Sequence, residues 1–249
     1  MKLYKTKEFY LNNNNLTNAQ LAILAGCSES TINKYKRDLG LTFQMLKDPT
    51  WEYKKLLTIN KESMYWAGFL LADGCFSKEE RKVKISLSSS ILDELHIIKF
   101  KKWLNTNNEI YYSKDNCCSI SVYSKKYVPT IMEFWGFSFR KTYIPYEIPN
   151  MIFNHELFPY FIVGLIDGDG SIVKTKYSYK ISITQHVSQL SFLTKLNSYL
   201  KNEDHKIYLS DRDNTANLIV QKKEIRDLVK SWYVDLKEIP LERKVSRMI

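Results

Sequence analysis

With 249 residues and 44% hydrophobic content, the chain is long and apolar enough for one large domain, or for a large domain plus a small one. Lys and Arg total 37 against 27 Asp and Glu, a net charge of +10 that favours a polyanionic partner; a merely basic soluble protein is the plainer alternative. The start lacks the apolar core of a signal peptide, no apolar run is long enough to span a bilayer, and Cys27, Cys75, Cys117 and Cys118 lack zinc-site spacing, so the reading is a protein with no membrane partner, intracellular (cytoplasmic or organellar), with small buried thiols.

Residues 1–45 read as a small all-α module. Thr17 followed by Gln20 is a capping box. Leu21, Leu24 and Ala25 form a short apolar face, and Gly26 permits the left-handed turn that ends the helix. Ser28 caps a second helix whose Ile32, Tyr35 and Leu39 point inward. The pattern resembles a helix-turn-helix, with Ser30, Thr31, Asn33, Lys34 and Arg37 as candidate DNA contacts; an ordinary helical hairpin is the alternative. The Asn12–Asn14 run reads as a loop ahead of it. Residues 46–61, with Asp48-Pro49, read as a linker with room for a short helix.

From Tyr65 the chain repeats. Gly68 and Gly164, Asp73 and Asp169, Ile85 and Ile181, and Phe100 and Leu196 all lie 96 apart. Val122 and Ile219, Lys125 and Lys222, and Trp135 and Trp232 lie 97 apart, which implies one inserted residue. Each copy reads helix, two strands, helix, two strands, helix. In the strands, Val83, Ile85 and Leu87 alternate with Lys82, Lys84, Ser86 and Ser88; Ile181 and Ile183 alternate with Lys180, Ser182 and Thr184. A strand face of lysines and hydroxyls without acids favours nucleic acid over plain solvent. Residues 62–140 form the first half and 159–249 the second, joined by a linker at 141–158. Arg140-Lys141 and Arg243-Lys244 echo each other and read as phosphate-contacting tails.

The sharpest feature is a stretch that occurs twice: Trp66-Ala-Gly-Phe-Leu-Leu-Ala-Asp73-Gly74 and Ile162-Val-Gly-Leu-Ile-Asp-Gly-Asp169-Gly170. Apolar residues fill nearly every turn, so such a helix must be buried on most faces. Gly68 with Ala72, and Gly164 with Gly168, put small residues on one helix face, which lets two backbones approach closely. Asp73 and Asp169 then meet at the negative ends of two paired helices, a cluster that suits a hard divalent cation. Such a metal site in a basic protein points to phosphodiester chemistry.

These stretches resemble the LAGLIDADG homing endonucleases, over roughly residues 60–249. The resemblance implies an α+β fold of two pseudo-symmetric αββαββα halves with saddle-shaped antiparallel sheets along the major groove of double-stranded DNA. It implies a monomer that makes a metal-dependent staggered double-strand break with 3′ overhangs. By resemblance, Asp73 and Asp169, with the carbonyls of Ala72 and Gly168, hold Mg2+, Mn2+ being a candidate substitute. Gln185 sits beside the attacking water, and Ser89 stands at the equivalent place in the first half. Lys125 and Lys222 are candidate stabilisers of phosphate charge. Asp167 pairs with Leu71 and is not a metal position in the family. Two alternatives stay open: a nuclease-dead transcription regulator and an intron-RNA maturase on the same scaffold. An intron-encoded or free-standing gene fits better than an intein.

Overall fold

The computed structural model describes residues 3–13, 16–41, 50–79, 82–176, 178–202, 204 and 206–248. The N-terminal module has one helix more than the sequence reading foresaw. Helix α1 (Lys7–Asn12), capped by Thr6, absorbs Asn12 into its last turn and buries Phe9 and Tyr10. Helix α2 (Asn18–Ala25) has the expected Thr17–Gln20 capping box and ends at Gly26 with φ of 61°. Helix α3 (Glu29–Asp38) starts at the Ser28 cap and buries Ile32. These helices share a core with Tyr4 and Leu41, separate from the main one. Asp48-Pro49 lies outside the described residues.

The expected 46–61 linker is shorter than that span. Trp51 and Leu56 are buried in the main core, and the Trp135 indole donates to the Leu56 carbonyl at 2.7 Å. The reason is apolar content: Trp51, Leu56 and Leu57 have too much surface to leave in water.

The first half runs α4 (Lys61–Ala72), β1 (Gly74–Glu79), β2 (Lys82–Ser90), α5 (Glu94–Trp103), β3 (Tyr111–Tyr112), β4 (Cys117–Tyr123) and α6 (Tyr127–Trp135). A short helix, α7 (Asn150–Phe153), lies within the 141–158 segment. The second half runs α8 (Phe158–Asp169), β5 (Gly170–Lys174), β6 (Tyr179–His186), α9 (Leu190–Tyr199), β7 (Tyr208–Ser210), β8 (Thr215–Val220) and α10 (Lys223–Asp235), followed by α11 (Glu242–Val245). Both sheets are antiparallel and have the same strand order, β1-β2-β4-β3 and β5-β6-β8-β7. Gly74 pairs with Leu87, and Gly170 with Ile183, the 96-residue repeat seen as register.

The fourth strands correct the sequence alignment. Val122 faces Ile85, whereas Val220 faces Ile181, so the offset there is 98 rather than 97. Ile219 pairs with Ser182 on the outward face, while Val122 is buried. A one-residue slip exchanges the faces of a strand, and a run such as Leu218-Ile219-Val220 offers apolar residues in either register. The thiols need correction too. Cys118 is buried, but Cys75 and Cys117 are exposed, because their strand positions pair with outward-facing Ser86 and Ser90.

Helices α4 and α8 pack with their backbones in contact. A Cβ added at Gly68 would lie 1.9 Å from the Phe161 carbonyl oxygen, and one at Gly164 would lie 1.9 Å from that of Tyr65. A Cβ at Gly168 would meet the Ala72 methyl at 2.2 Å. Glycine is therefore obligatory at these positions. The Asp167 carboxylate is sealed in this interface. It accepts from Tyr65 Oη and Tyr233 Oη, each at 2.7 Å, and from the Leu241 amide at 2.8 Å. Tyr65 in turn bonds His96 Nε2 at 3.0 Å, and burial pushes that imidazole down to about 3, so it is neutral.

Candidate active site

Asp73 is the C-cap of α4 and Asp169 the last residue of α8. The interlocked helices bring both acids to one place, and each is largely buried. Burial pushes Asp73 up to about 6; the nearby Asp169 adds to the rise, and Lys244, Lys141 and Arg243 oppose it in that order. Burial also raises Asp169, opposed by its bond from Gln185 and by Lys141 and then Lys244.

Gln185 lies beside Asp169. From β6 its Nε2 donates to Asp169 Oδ2 at 2.6 Å, while its Oε1 accepts from Tyr146 Oη at 3.2 Å. Ser89, the equivalent in the first half, carries a hydroxyl too short to span the same gap to Asp73.

Lys141 and Lys244 are not tails. Lys141 Nζ donates to the carbonyls of Leu71 and Ala72. Lys244, 2% exposed, donates to those of Ile166, Asp167 and Gly170, the last at 2.8 Å. Helix C-termini leave carbonyls without backbone donors, and a cation there answers both the missing bonds and the macrodipole. Burial lowers both ammonium groups, Lys244 to about 8, while nearby carboxylates oppose the change. The Ala72 carbonyl is thereby engaged by an ammonium, which disfavours it as a metal ligand. Arg243, though exposed, has its Nε donating to both oxygens of Asp93 at 2.9 Å. Arg140 is exposed, with φ of 57°.

Lys125 and Lys222 are not brought to the aspartates. Asp73 precedes Gly74, which is level with Leu87 and Ile120; Lys125 lies beyond Tyr123, more than about 10 Å along the sheet. Lys222 lies past Val220 at the corresponding far end of the second sheet and pairs with Asp204.

On the strand faces, Lys84, Ser86 and Ser88 project outward from the first sheet, and Lys180, Ser182 and Thr184 occupy the equivalent face of the second. Ser121 donates to Ser86 at 3.0 Å, and Ser171 shares a 2.8 Å bond with Ser182. The Lys82 side chain lies outside the described part. In the N-terminal module, Ser30, Asn33, Lys34 and Arg37 are exposed and Thr31 half-buried; Asn33 accepts from Asn18 at 2.6 Å.

The sequence reading missed Tyr146 and Gln189 altogether. Gln189 is fully buried: its Oε1 accepts from the Tyr146 amide at 2.8 Å, and its Nε2 donates to the carbonyls of Lys141 at 2.9 Å and Ile144 at 2.7 Å. Its signal was positional, since it lies 96 residues after Asp93. Among the described residues no three or more His, Cys, Asp or Glu side chains converge. Two raised carboxylates near each other fit a divalent cation, and an all-oxygen donor set suits a hard one.

Residues 162–235 match the family model described as LAGLIDADG endonuclease. Solved structures with this fold include the I-SmaMI LAGLIDADG homing endonuclease bound to cleaved DNA, at 15% identity over 77% of this chain and 87% of that one, TM-score 0.54. I-SmaMI bound to uncleaved DNA target in the presence of calcium ions matches at 15% identity over 74% and 86%, TM-score 0.53. I-GzeII in complex with its DNA target matches at 15% identity over 72% and 84%, TM-score 0.52. The LAGLIDADG resemblance is borne out as a likeness: residues 162–235 fit that family model, and the first half repeats the strand order of the second. No helix among the described residues is long and apolar enough to cross a membrane.

Proposed function

We propose that this chain is a site-specific DNA endonuclease of the homing type. It cuts both strands of a duplex with a divalent metal, Mg2+ first and Mn2+ as a substitute, and leaves staggered 3′ ends that promote mobility of its own gene or intron. The observation that carries this reading is the meeting of Asp73 and Asp169, one from each half, at the ends of two helices in backbone contact. DNA complexes of I-SmaMI and I-GzeII, which share the fold, point the same way.

Asp73 and Asp169 would hold the metal, with the Gly168 carbonyl as a further oxygen. A bound divalent cation acidifies the attacking water and neutralises charge at the phosphate. Gln185 fixes the rotation of the Asp169 carboxylate, and the second N–H of its amide is left for a water. Lys141 and Lys244 hold the helix ends and place positive charge beneath the acids without entering the groove. Lys84, Ser86, Ser88, Lys180, Ser182 and Thr184 would face the major groove, where short hydroxyls accept or donate to base edges. Ser30, Thr31, Asn33, Lys34 and Arg37 would extend contact beyond one end of the site, with Arg140 on a phosphate.

The test takes duplexes recovered by rounds of binding selection from a randomised pool. Each is incubated with Mg2+, Mn2+, Ca2+ or EDTA, and both strands are resolved on denaturing gels. Cleavage of both strands with Mg2+ and none with EDTA is expected. Tight binding with no cleavage under any metal would leave a regulator, and preference for RNA over every duplex would leave a maturase.

A further inference from the structure

The two sheets present matching outward rows, and their registers pair the rows residue by residue. In the first half one row runs Cys75, Ser86, Ser121, and the next sets Ser77 beside Lys84. In the second half the same rows run Ser171, Ser182, Ile219 and set Val173 beside Lys180. The inner strand keeps its serine and its lysine in both halves. The flanking strands differ: Val173 stands where the first half has Ser77, and Ile219 where it has Ser121. Two hydroxyls on one saddle are two aliphatic side chains on the other.

Neither aliphatic belongs to the core. Their buried neighbours Ile172 and Val220 face the opposite way, while Val173 is 41% exposed and Ile219 half-buried. The hydroxyls respond to the exchange. Ser121 donates to Ser86 at 3.0 Å in the first half; Ile219 offers no such group, and Ser182 shares its 2.8 Å bond with Ser171 on the other side instead. The second sheet thus leaves the Ile219 side of its inner serine apolar. Val173 and Ile219 lie two strands and two residues apart, about 12 Å, which is enough to meet different base pairs.

On the major-groove edges of DNA the apolar group is the C5 methyl of thymine; the other marks are hydrogen-bond donors and acceptors. An aliphatic side chain facing that groove gains by covering the methyl, and a serine in its place bonds a polar edge. RNA carries uracil, without the methyl, and its deep, narrow major groove excludes side chains. We propose that Val173 and Ile219 are specificity-determining residues, each covering a thymine methyl in the half-site under the second sheet. Ser77 and Ser121 leave the half-site under the first sheet without that preference. This rests on the endonuclease reading and concerns which bases the duplex carries, not how it is cut.

The test uses the full chain, Ca2+ and a duplex selected from a randomised pool. Each thymine on either strand is replaced in turn by deoxyuridine, which removes one methyl and no hydrogen-bonding group. Two positions within one half-site are each expected to bind about fourfold more weakly, the worth of one buried methyl. Val173→Ser should abolish the difference between thymine and uracil at one of them, and Ile219→Ser at the other. A purely structural role for either residue would weaken binding to both duplexes alike and leave that difference intact. If a serine variant fails to fold, Val173→Ala and Ile219→Ala carry the same comparison, and the uracil scan on wild-type protein needs no variant. Uracil tolerated at every position, equal sensitivity in both half-sites, or sensitivity unchanged in the variants overturns the proposal. Wild-type protein that binds no selected duplex, or binds one and never cuts it with Mg2+, overturns the endonuclease reading itself.

Discussion

The two halves share strand order, register and a glycine-lined helix, yet they finish their acidic ends differently. In the second half Asp169 is gripped by Gln185, which is gripped by Tyr146. In the first half Asp73 has Ser89 at that position and stands at about 6. One scaffold thus offers two local environments for the same carboxylate. Duplication preserved the backbone interlock, which a single Cβ would destroy, and let the side chains around each acid diverge.

The largest test removes the acids themselves. Asp73→Asn and Asp169→Asn are each expected to reduce double-strand cleavage by about a thousandfold, ~4 kcal/mol of activation free energy, while duplex binding in Ca2+ stays near wild type. Full cleavage by either variant would remove that aspartate from the metal site. Next comes the interlock, where the halves should behave alike. Gly68→Ala and Gly164→Ala each drive a methyl into a carbonyl at 1.9 Å and should destabilise by about 3 kcal/mol in urea unfolding. A change below about 1 kcal/mol for either would mean that the helices separate easily.

Stability against pH sharpens the contrast. Asp73 is raised in the folded state, so its contribution to stability is fully present below about pH 4 and is lost as pH rises through 6. Without divalent metal, Asp73→Asn should raise stability at pH 8 by roughly 2 kcal/mol and change it little at pH 4. Asp169→Asn should gain less at pH 8, because Gln185 and Lys141 already offset part of the burial cost. Equal gains for both variants would erase the asymmetry. The smallest effect is a rate ratio. Gln185→Ala should slow the strand cut at Asp169 about tenfold, whereas Ser89→Ala should leave both strands nearly unchanged.

How much of this the sequence carried depends on the kind of signal. The paired helices and the aspartates were visible because glycine spacing and Asp-Gly endings recur at one offset, and Gln185 was named only through the family resemblance. The helix-turn-helix caps were visible because capping is local: Thr17, Gln20, Gly26 and Ser28 act within a few residues of themselves. The fourth-strand register was not, since Leu218-Ile219-Val220 offers apolar residues to either face. The fates of Lys141 and Lys244 were hidden for another reason. A lysine that ends beneath a helix has no local mark to separate it from one in water; only the tertiary placement of α4 and α8 creates the carbonyls it satisfies. Gln189 is a similar case, a polar residue whose burial depends on a segment more than forty positions earlier.

Asp167 bears on the ancestry of such a molecule. Its carboxylate is sealed between the halves by Tyr65 from the first and by Tyr233 and Leu241 from the second. Position 65 corresponds to Phe161 in the repeat, and position 167 to Leu71. Two copies of the second half brought together as separate chains would offer each Asp167 a phenylalanine where Tyr65 now donates, and would bury two such acids at one seam. Two copies of the first half would leave the Tyr65 hydroxyls facing leucines. A duplicated gene that has reached this state has no route back to a symmetric dimer by fission alone. The buried carboxylate thus fits each half to the other better than to a copy of itself.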